Sequence, residues 1–167
     1  MIKSIEYDDE LLGFEYHQVQ LLKLFERFCL DMNNSEFNSK VREFYRNTTD
    51  PPNTTRALFS SRYDTELDDE DSTQITEWIS AHLKKKPFRK QLSEESKKEL
   101  WQSQKGKCNI CGCALGEDYS EIHVDHIIPW VLVGDELSNN YQYLCKTCNT
   151  RKNKQIDYYY KKIVGLV

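Results

Sequence analysis

The sequence has no run of 18 apolar residues, so no segment is long and apolar enough to cross a bilayer as a helix. Its first residues, MIKSIEYDDELLGF, lack the charged start and apolar core of a secretory signal. These two absences lead to the expectation of a cytoplasmic protein without membrane contact, whose cysteines serve as thiols or metal ligands rather than disulfides. A Gly-rich phosphate loop and internal repeats are also missing, which sets aside P-loop enzymes and solenoids. An excess of positive charge is missing too: the net charge is −4, which at face value argues against a nucleic-acid partner.

That average conceals a split. Residues 1–83 hold 8 Lys+Arg against 17 Asp+Glu, a balance of −9, and residues 84–167 hold 15 against 10, a balance of +5. Such asymmetry suggests an anionic partner for the second half alone. At 167 residues the chain suffices for one ordinary domain or two small ones, and two regions are expected: 1–86 and 87–167.

The first region reads as helical. Apolar residues from Leu11 to Met32 mostly recur at helical spacing, which predicts one long helix over about Glu15–Met32 with Cys29 on its apolar face. A turn at Met32–Ser35 leads to a second helix over Glu36–Arg46. Thr48–Thr55 reads as a breaker with two prolines, and Arg56–Tyr63 as a helical turn. The acidic run Asp64–Asp71 is expected to be a solvated loop, the sharper alternative being a phosphate mimic over a basic site. A further helix opens at Ser72 or Thr73 and runs to about Lys84. His17 and His82 have no metal-binding partner at helical spacing and are expected to be ordinary surface or core histidines. Nothing in this region carries chemistry; recognition, a homodimer contact or docking of a protein partner are its open roles.

Lys84-Lys85-Lys86-Pro87-Phe88-Arg89-Lys90 places five positive charges in seven positions and marks the boundary. Such a run suits phosphate contacts or a soluble linker. Ser93-Glu94-Glu95 then caps a helix that runs to about Lys105 and ends at Gly106, with Leu92, Leu100 and Trp101 to pack it against the segment beyond Gly106.

Cys108-x-x-Cys111 and Cys145-x-x-Cys148 are two knuckles, each able to turn both sulfurs toward one ion. Together they offer four thiolates, the closed tetrahedral set of a structural zinc, and a closed set performs no hydrolysis. The 33 residues between the knuckles exceed the span of a compact zinc ribbon, so something folded is inserted. Cys113 is expected to be a spare thiol or a substitute ligand.

The insertion contains Glu121–Ile128, alternating and β-branched, which predicts a strand ended by Pro129. Alternation puts Ile122, Val124 and His126 on one face and His123, Asp125 and Ile127 on the other. Trp130–Ser138 reads as a loop, Tyr141–Leu144 as a short strand after Asn140, and Thr147–Gln155 or beyond as a helix rich in Arg151, Lys152 and Lys154.

The ordered set C-x-x-C, V-D-H-I-I-P and N-Y-Q-Y-L-C-x-x-C-N-x-x-K resembles the HNH endonucleases over about residues 92–157. The resemblance implies an α+β chain, a mainly helical N-terminal region followed by a zinc-stabilised ββα-metal nuclease domain. It makes Asp125 a ligand of a catalytic divalent ion, His126 the general base and Asn140 the residue that ties down the loop. Asn149 stands where many members have a third His; its amide oxygen with a carboxylate suits Mg²⁺ or Mn²⁺, an H-N-N variant. Lys152 and Arg151 are expected toward the phosphate, and His123 to contact substrate or ion or to line the strand. The implied function is metal-dependent hydrolysis of DNA, in restriction or anti-phage defence. The alternative is a non-catalytic zinc module that binds nucleic acid or a protein partner. The charge asymmetry adds a narrower expectation, that residues 1–83 silence the nuclease and that deleting them raises activity.

Overall fold

The computed structural model describes residues 9–116 and 122–152. Four helices come first: α1 (Asp9–Asp31), α2 (Ser35–Asn47), α3 (Pro51–Tyr63) and α4 (Asp69–Lys84). After an exposed segment come α5 (Glu94–Ser103), β1 (Ile122–His126), the single-turn α6 (Trp130–Val133), β2 (Tyr141–Cys145) and α7 (Lys146–Lys152). The predicted strand start at Glu121 and the extension of the last helix toward Gln155 lie outside the described residues.

Short polar side chains start four of the helices. Asn34 Oδ1 accepts from Phe37 N at 3.0 Å, Asp50 from Asn53 N at 3.2 Å, Asp68 from Asp71 N at 2.8 Å and Ser93 Oγ from Ser96 N at 3.2 Å. Each satisfies an amide that has no partner within its own helix. Two sequence expectations change as a result. Pro51 and Pro52 do not break the chain but occupy the first turn of α3, where a missing N–H costs nothing, so a full helix replaces the expected helical turn. The acidic run is not wholly a solvated loop: Asp68 caps α4, and Asp69, Glu70 and Asp71 fill its first turn, where the helix dipole favours them. Asp71 is buried and receives His17 Nε2 at 2.7 Å, while Leu67 is buried in the core.

The front core is aromatic. Phe25 and Phe28 are fully buried; Phe25 lies 5.5 Å from Trp78 and Phe28 lies 5.6 Å from Phe59, centroid to centroid. This core does not stop at the expected boundary after residue 86. It continues through Ile128, Leu132 and Val133, which come after β1. His82 Nδ1 donates to Leu132 O at 2.6 Å, and Lys85 Nζ to Val131 O at 2.8 Å. The approach is close enough that a Cβ on Gly134 (φ +62°) would lie 2.8 Å from Lys85 Cβ, so glycine is required there by both space and backbone.

A second, smaller core gathers Cys108, Ile110, Leu115, Leu144 and Cys148, with Trp101 and Tyr143 against it at 5.5 Å from each other. β1 and β2 pair antiparallel, with Asp125 opposite Gln142 and His126 opposite Tyr141. The two strands and α7 after them form a ββα unit, held between the helical core on one side and the cysteine cluster on the other.

Candidate active site and metal centre

Ile127 and Ile128, the first residues beyond β1, are fixed by one side chain. Asn140 is almost fully buried; its Oδ1 accepts from Ile128 N at 2.7 Å, its Nδ2 donates to Ile128 O at 2.9 Å, and its own carbonyl accepts from Ile127 N at 2.9 Å. The end of β1, and with it His126, is thereby locked to the start of β2.

His126 is buried, its ring 4.7 Å from that of Tyr141. Its Nε2 lies 2.8 Å from Oδ1 of Asp135, a carboxylate only 3% exposed. Asp135 also accepts from Tyr141 OH at 2.8 Å, Trp130 Nε1 at 2.9 Å and the Lys90 backbone N–H at 2.9 Å. Burial alone would push this carboxyl up. Hydrogen bonds from Lys90, His126, Trp130 and Tyr141 outweigh it and hold the carboxyl far below the usual range, so it is ionised. Tyr141 moves the other way, to about 12, because burial and the adjacent Asp135 both disfavour a phenolate. Sequence reading missed Asp135. Its only signal is position, a carboxylate directly after Gly134 and the apolar run Trp130–Val133.

Asp125 sits one residue before, on the other face of β1. Its Oδ2 accepts from Lys152 Nζ at 2.6 Å and Gln142 Nε2 at 3.2 Å. Lys152 corrects an expectation. It does not face solvent and a phosphate; it is 1% exposed, and its ammonium also donates to His126 O at 2.7 Å, clamping α7 onto β1. Arg151 is exposed, and Asn149 is half-exposed on α7, one turn before Lys152. His123 shares the Asp125 face of β1, and its Nε2 is buried without a hydrogen-bond partner among the described residues. Buried nitrogens are rarely left so, which makes this one a candidate ligand atom.

The cysteines gather at the far end of the unit. Trp101 closes over Gly106 (φ +62°), and the chain then doubles back through a Lys107–Ala114 bridge, with Cys108 N donating to Cys113 O at 2.9 Å. That hairpin returns Cys113 to the cluster. The four sulfurs that lie within 4.8 Å of one another are those of Cys108, Cys111, Cys113 and Cys145. Cys113, expected to be a spare thiol or a substitute ligand, is in this set, and Cys148, expected as fourth ligand, is not. Cys148 nevertheless adjoins it, with its N–H 3.5 Å from Cys145 Sγ. The Cys111–Cys145 sulfur separation of 3.9 Å matches the edge of about 3.8 Å that a tetrahedron with metal–sulfur bonds of about 2.3 Å requires. Five thiols thus surround a place for one four-coordinate metal. The Cys111 thiol is lowered to about 6, chiefly by the Cys113 backbone hydrogen bond, and so is readily a thiolate.

Residues 108–155 match the family model described as HNH endonuclease, a family of nucleases. The match covers the cysteine knuckles, both strands and α7, and leaves out α1–α5. Searches of curated proteins and of solved structures gave no match.

Proposed function

Starting from an HNH endonuclease match across residues 108–155, we propose that the protein is a metal-dependent endonuclease that hydrolyses DNA phosphodiester bonds, in the cytoplasm and in restriction or anti-phage defence. The observation that carries this reading is the His126–Asp135 pair at the end of β1, one residue from Asp125. An ionised Asp135 keeps the Nε2–H of His126 toward itself, which leaves the Nδ1 lone pair to take a proton from water. Asn140 supports the reading by fixing the peptide next to the base.

A hard divalent ion, Mg²⁺ or Mn²⁺, would be held by Asp125 and Asn149, with the Nε2 of His123, unpartnered among the described residues, as a third donor. When bound, it supplies charge stabilisation for the phosphate and the leaving oxygen. Lys152 beside Asp125 marks a place where positive charge already balances that carboxylate. A structural zinc fits Cys108, Cys111 and Cys145 with a fourth thiol from Cys113 or Cys148. Lys86, Arg89 and Arg151, all exposed, supply phosphate contacts. Helices α1–α4 are the surface for a second copy or a protein partner.

Supercoiled plasmid is expected to be nicked or linearised with Mg²⁺ or Mn²⁺ and untouched without a divalent ion. His126→Ala is expected to lower the rate by about 10²-fold or more while zinc content and Tm stay near wild type. A variant that cuts as well as wild type removes His126 from the role of base. One observation favours a second reading, a non-catalytic zinc module: Asp125 is already held by Lys152 and Gln142. That reading predicts salt-sensitive DNA binding, no Mn²⁺ binding at Asp125 and no cleavage under any ion.

A further inference from the structure

Residues 1–83 carry a balance of −9, yet one cleft at their edge is lined by cations and no carboxylate. It lies between α2 and α4 and has a volume of about 440 Å³. Arg42 and Arg46 line it from α2, and Ser80 and Lys84 from α4. Each pair is spaced i, i+4, so each stands on one helix face. Among the described residues Arg42 has neutral partners, Asn38 Oδ1 at 2.8 Å and Leu83 O at 3.4 Å. Among the described residues neither Arg46 nor Lys84 is paired with a carboxylate.

Like charges at i, i+4 repel, and Lys84 across the cleft adds a third. An anion relieves that repulsion. Guanidinium forks match phosphate oxygens, and the Ser80 hydroxyl adds a neutral donor. The cleft is not wholly polar: Tyr45, Pro51 and Leu83 supply apolar wall suited to a base or sugar. Its volume falls in the usual range of small-molecule sites, about 300–1,000 Å³.

We propose that this cleft binds the phosphate of a free, nucleotide-sized ligand, as a second site separate from the Asp125–His126 centre. The last turn of α4 connects the two places. Leu83 and Lys84 line the cleft, while His82 and Lys85 hold the carbonyls of Leu132 and Val131 in α6, which leads into Asp135. A phosphate on a nucleic-acid strand offers the same chemistry, and the experiment separates the two sources.

The zinc-loaded full chain is titrated calorimetrically with AMP, ATP and inorganic phosphate, and separately with a short DNA duplex, all without Mg²⁺ or Mn²⁺. Saturable binding of a nucleotide is expected, weakened about tenfold or more by Arg46→Ala and by Lys84→Ala, largely kept by Arg46→Lys, and unchanged by His126→Ala. Both alanine positions are exposed, and unchanged circular dichroism and Tm verify folding. Three results overturn the proposal: no nucleotide binds wild type, the alanine variants bind as wild type does, or only the duplex binds and the variants weaken it. The last assigns these cations to a strand backbone. Because no divalent ion is present, each result is independent of whether the protein cuts DNA.

Discussion

Asp135 is the residue on which the candidate site turns. Four donors converge on it, from His126, Trp130, Tyr141 and the Lys90 backbone. Asp135→Asn keeps the shape but turns an amide N–H toward at least one of those donors. It is expected to cost about 2 kcal/mol of stability, read by urea unfolding, and to slow cleavage by about 10²-fold as His126 loses the group that fixes its tautomer. The pH dependence follows from the sign of the shift. The folded carboxyl lies below its unfolded value, so its contribution is complete above about pH 4 and is lost as pH falls below that. Wild-type Tm is therefore expected to drop on acidification below about pH 4, with a smaller drop in Asp135→Asn. Equal drops in the two proteins would show that Asp135 does not carry the acid sensitivity. The fifth thiol is decided at the same scale. Zinc stoichiometry that survives Cys148→Ser but falls with Cys113→Ser makes Cys113 the fourth ligand, as the sulfur distances favour; the opposite pattern restores Cys148.

Among the elements, those with local causes were legible in the sequence. Ser93 as a cap and the alternation that makes β1 each act through neighbours a few residues away, and each has a counterpart in the structure, while of the paired cysteines Cys108, Cys111 and Cys145 fall in one cluster. The misses have a common physical cause, which is that tertiary context selects among local options. The prolines of α3 are the exception, a local cause, since Asp50 directly before them caps the helix they open. The acidic run starts α4 because Leu67 is buried and Asp71 finds His17. Lys152 is expected toward a phosphate, but packing of α7 on β1 brings it onto Asp125 and the His126 carbonyl. Asp135 and the placing of Cys113 depend on loops doubling back, which spacing does not reveal. The element most dependent on metal is the Lys107–Ala114 hairpin between α5 and β1, since the core around it rests on Cys108, Ile110, Leu115 and Leu144 beside Trp101. Zinc removal is expected to unfold that cluster and leave the aromatic core of α1, α3 and α4, which contains no metal ligand. In single-tryptophan proteins, chelation should shift the emission of Trp101 to the red and leave that of Trp78 in place. A matching shift at Trp78 would mean that the two cores melt as one.

At the scale of the whole molecule, charge and packing give opposite expectations for the front helices. A balance of −9 beside +5 suggests a cover that holds the nuclease silent, to be removed for activity. The core points the other way. Ile128, Leu132 and Val133 are buried against the helical region, α4 packs on α6, and His82 and Lys85 hold two carbonyls of the loop. Deleting residues 1–83 exposes these three aliphatic side chains, at about 2 kcal/mol each, and leaves the Leu132 carbonyl without its imidazole. The resulting loss of about 6 kcal/mol is comparable to the entire stability of many domains, about 5–15 kcal/mol. It falls on the loop that carries Asp135, so His126 would lose its partner even where the cysteine cluster still folds. The truncated protein is therefore expected to have a lower Tm, to aggregate through the uncovered apolar strip, and to cut DNA more slowly than the full chain at equal zinc content. Separating scaffold from cover takes a second variant. Leu132→Ala in the full chain keeps all the acidic helices and removes one buried contact, at about 3 kcal/mol. If the helices act as scaffold, this variant loses activity in step with stability. If they act as a cover, it gains activity, because loosening the contact releases the site.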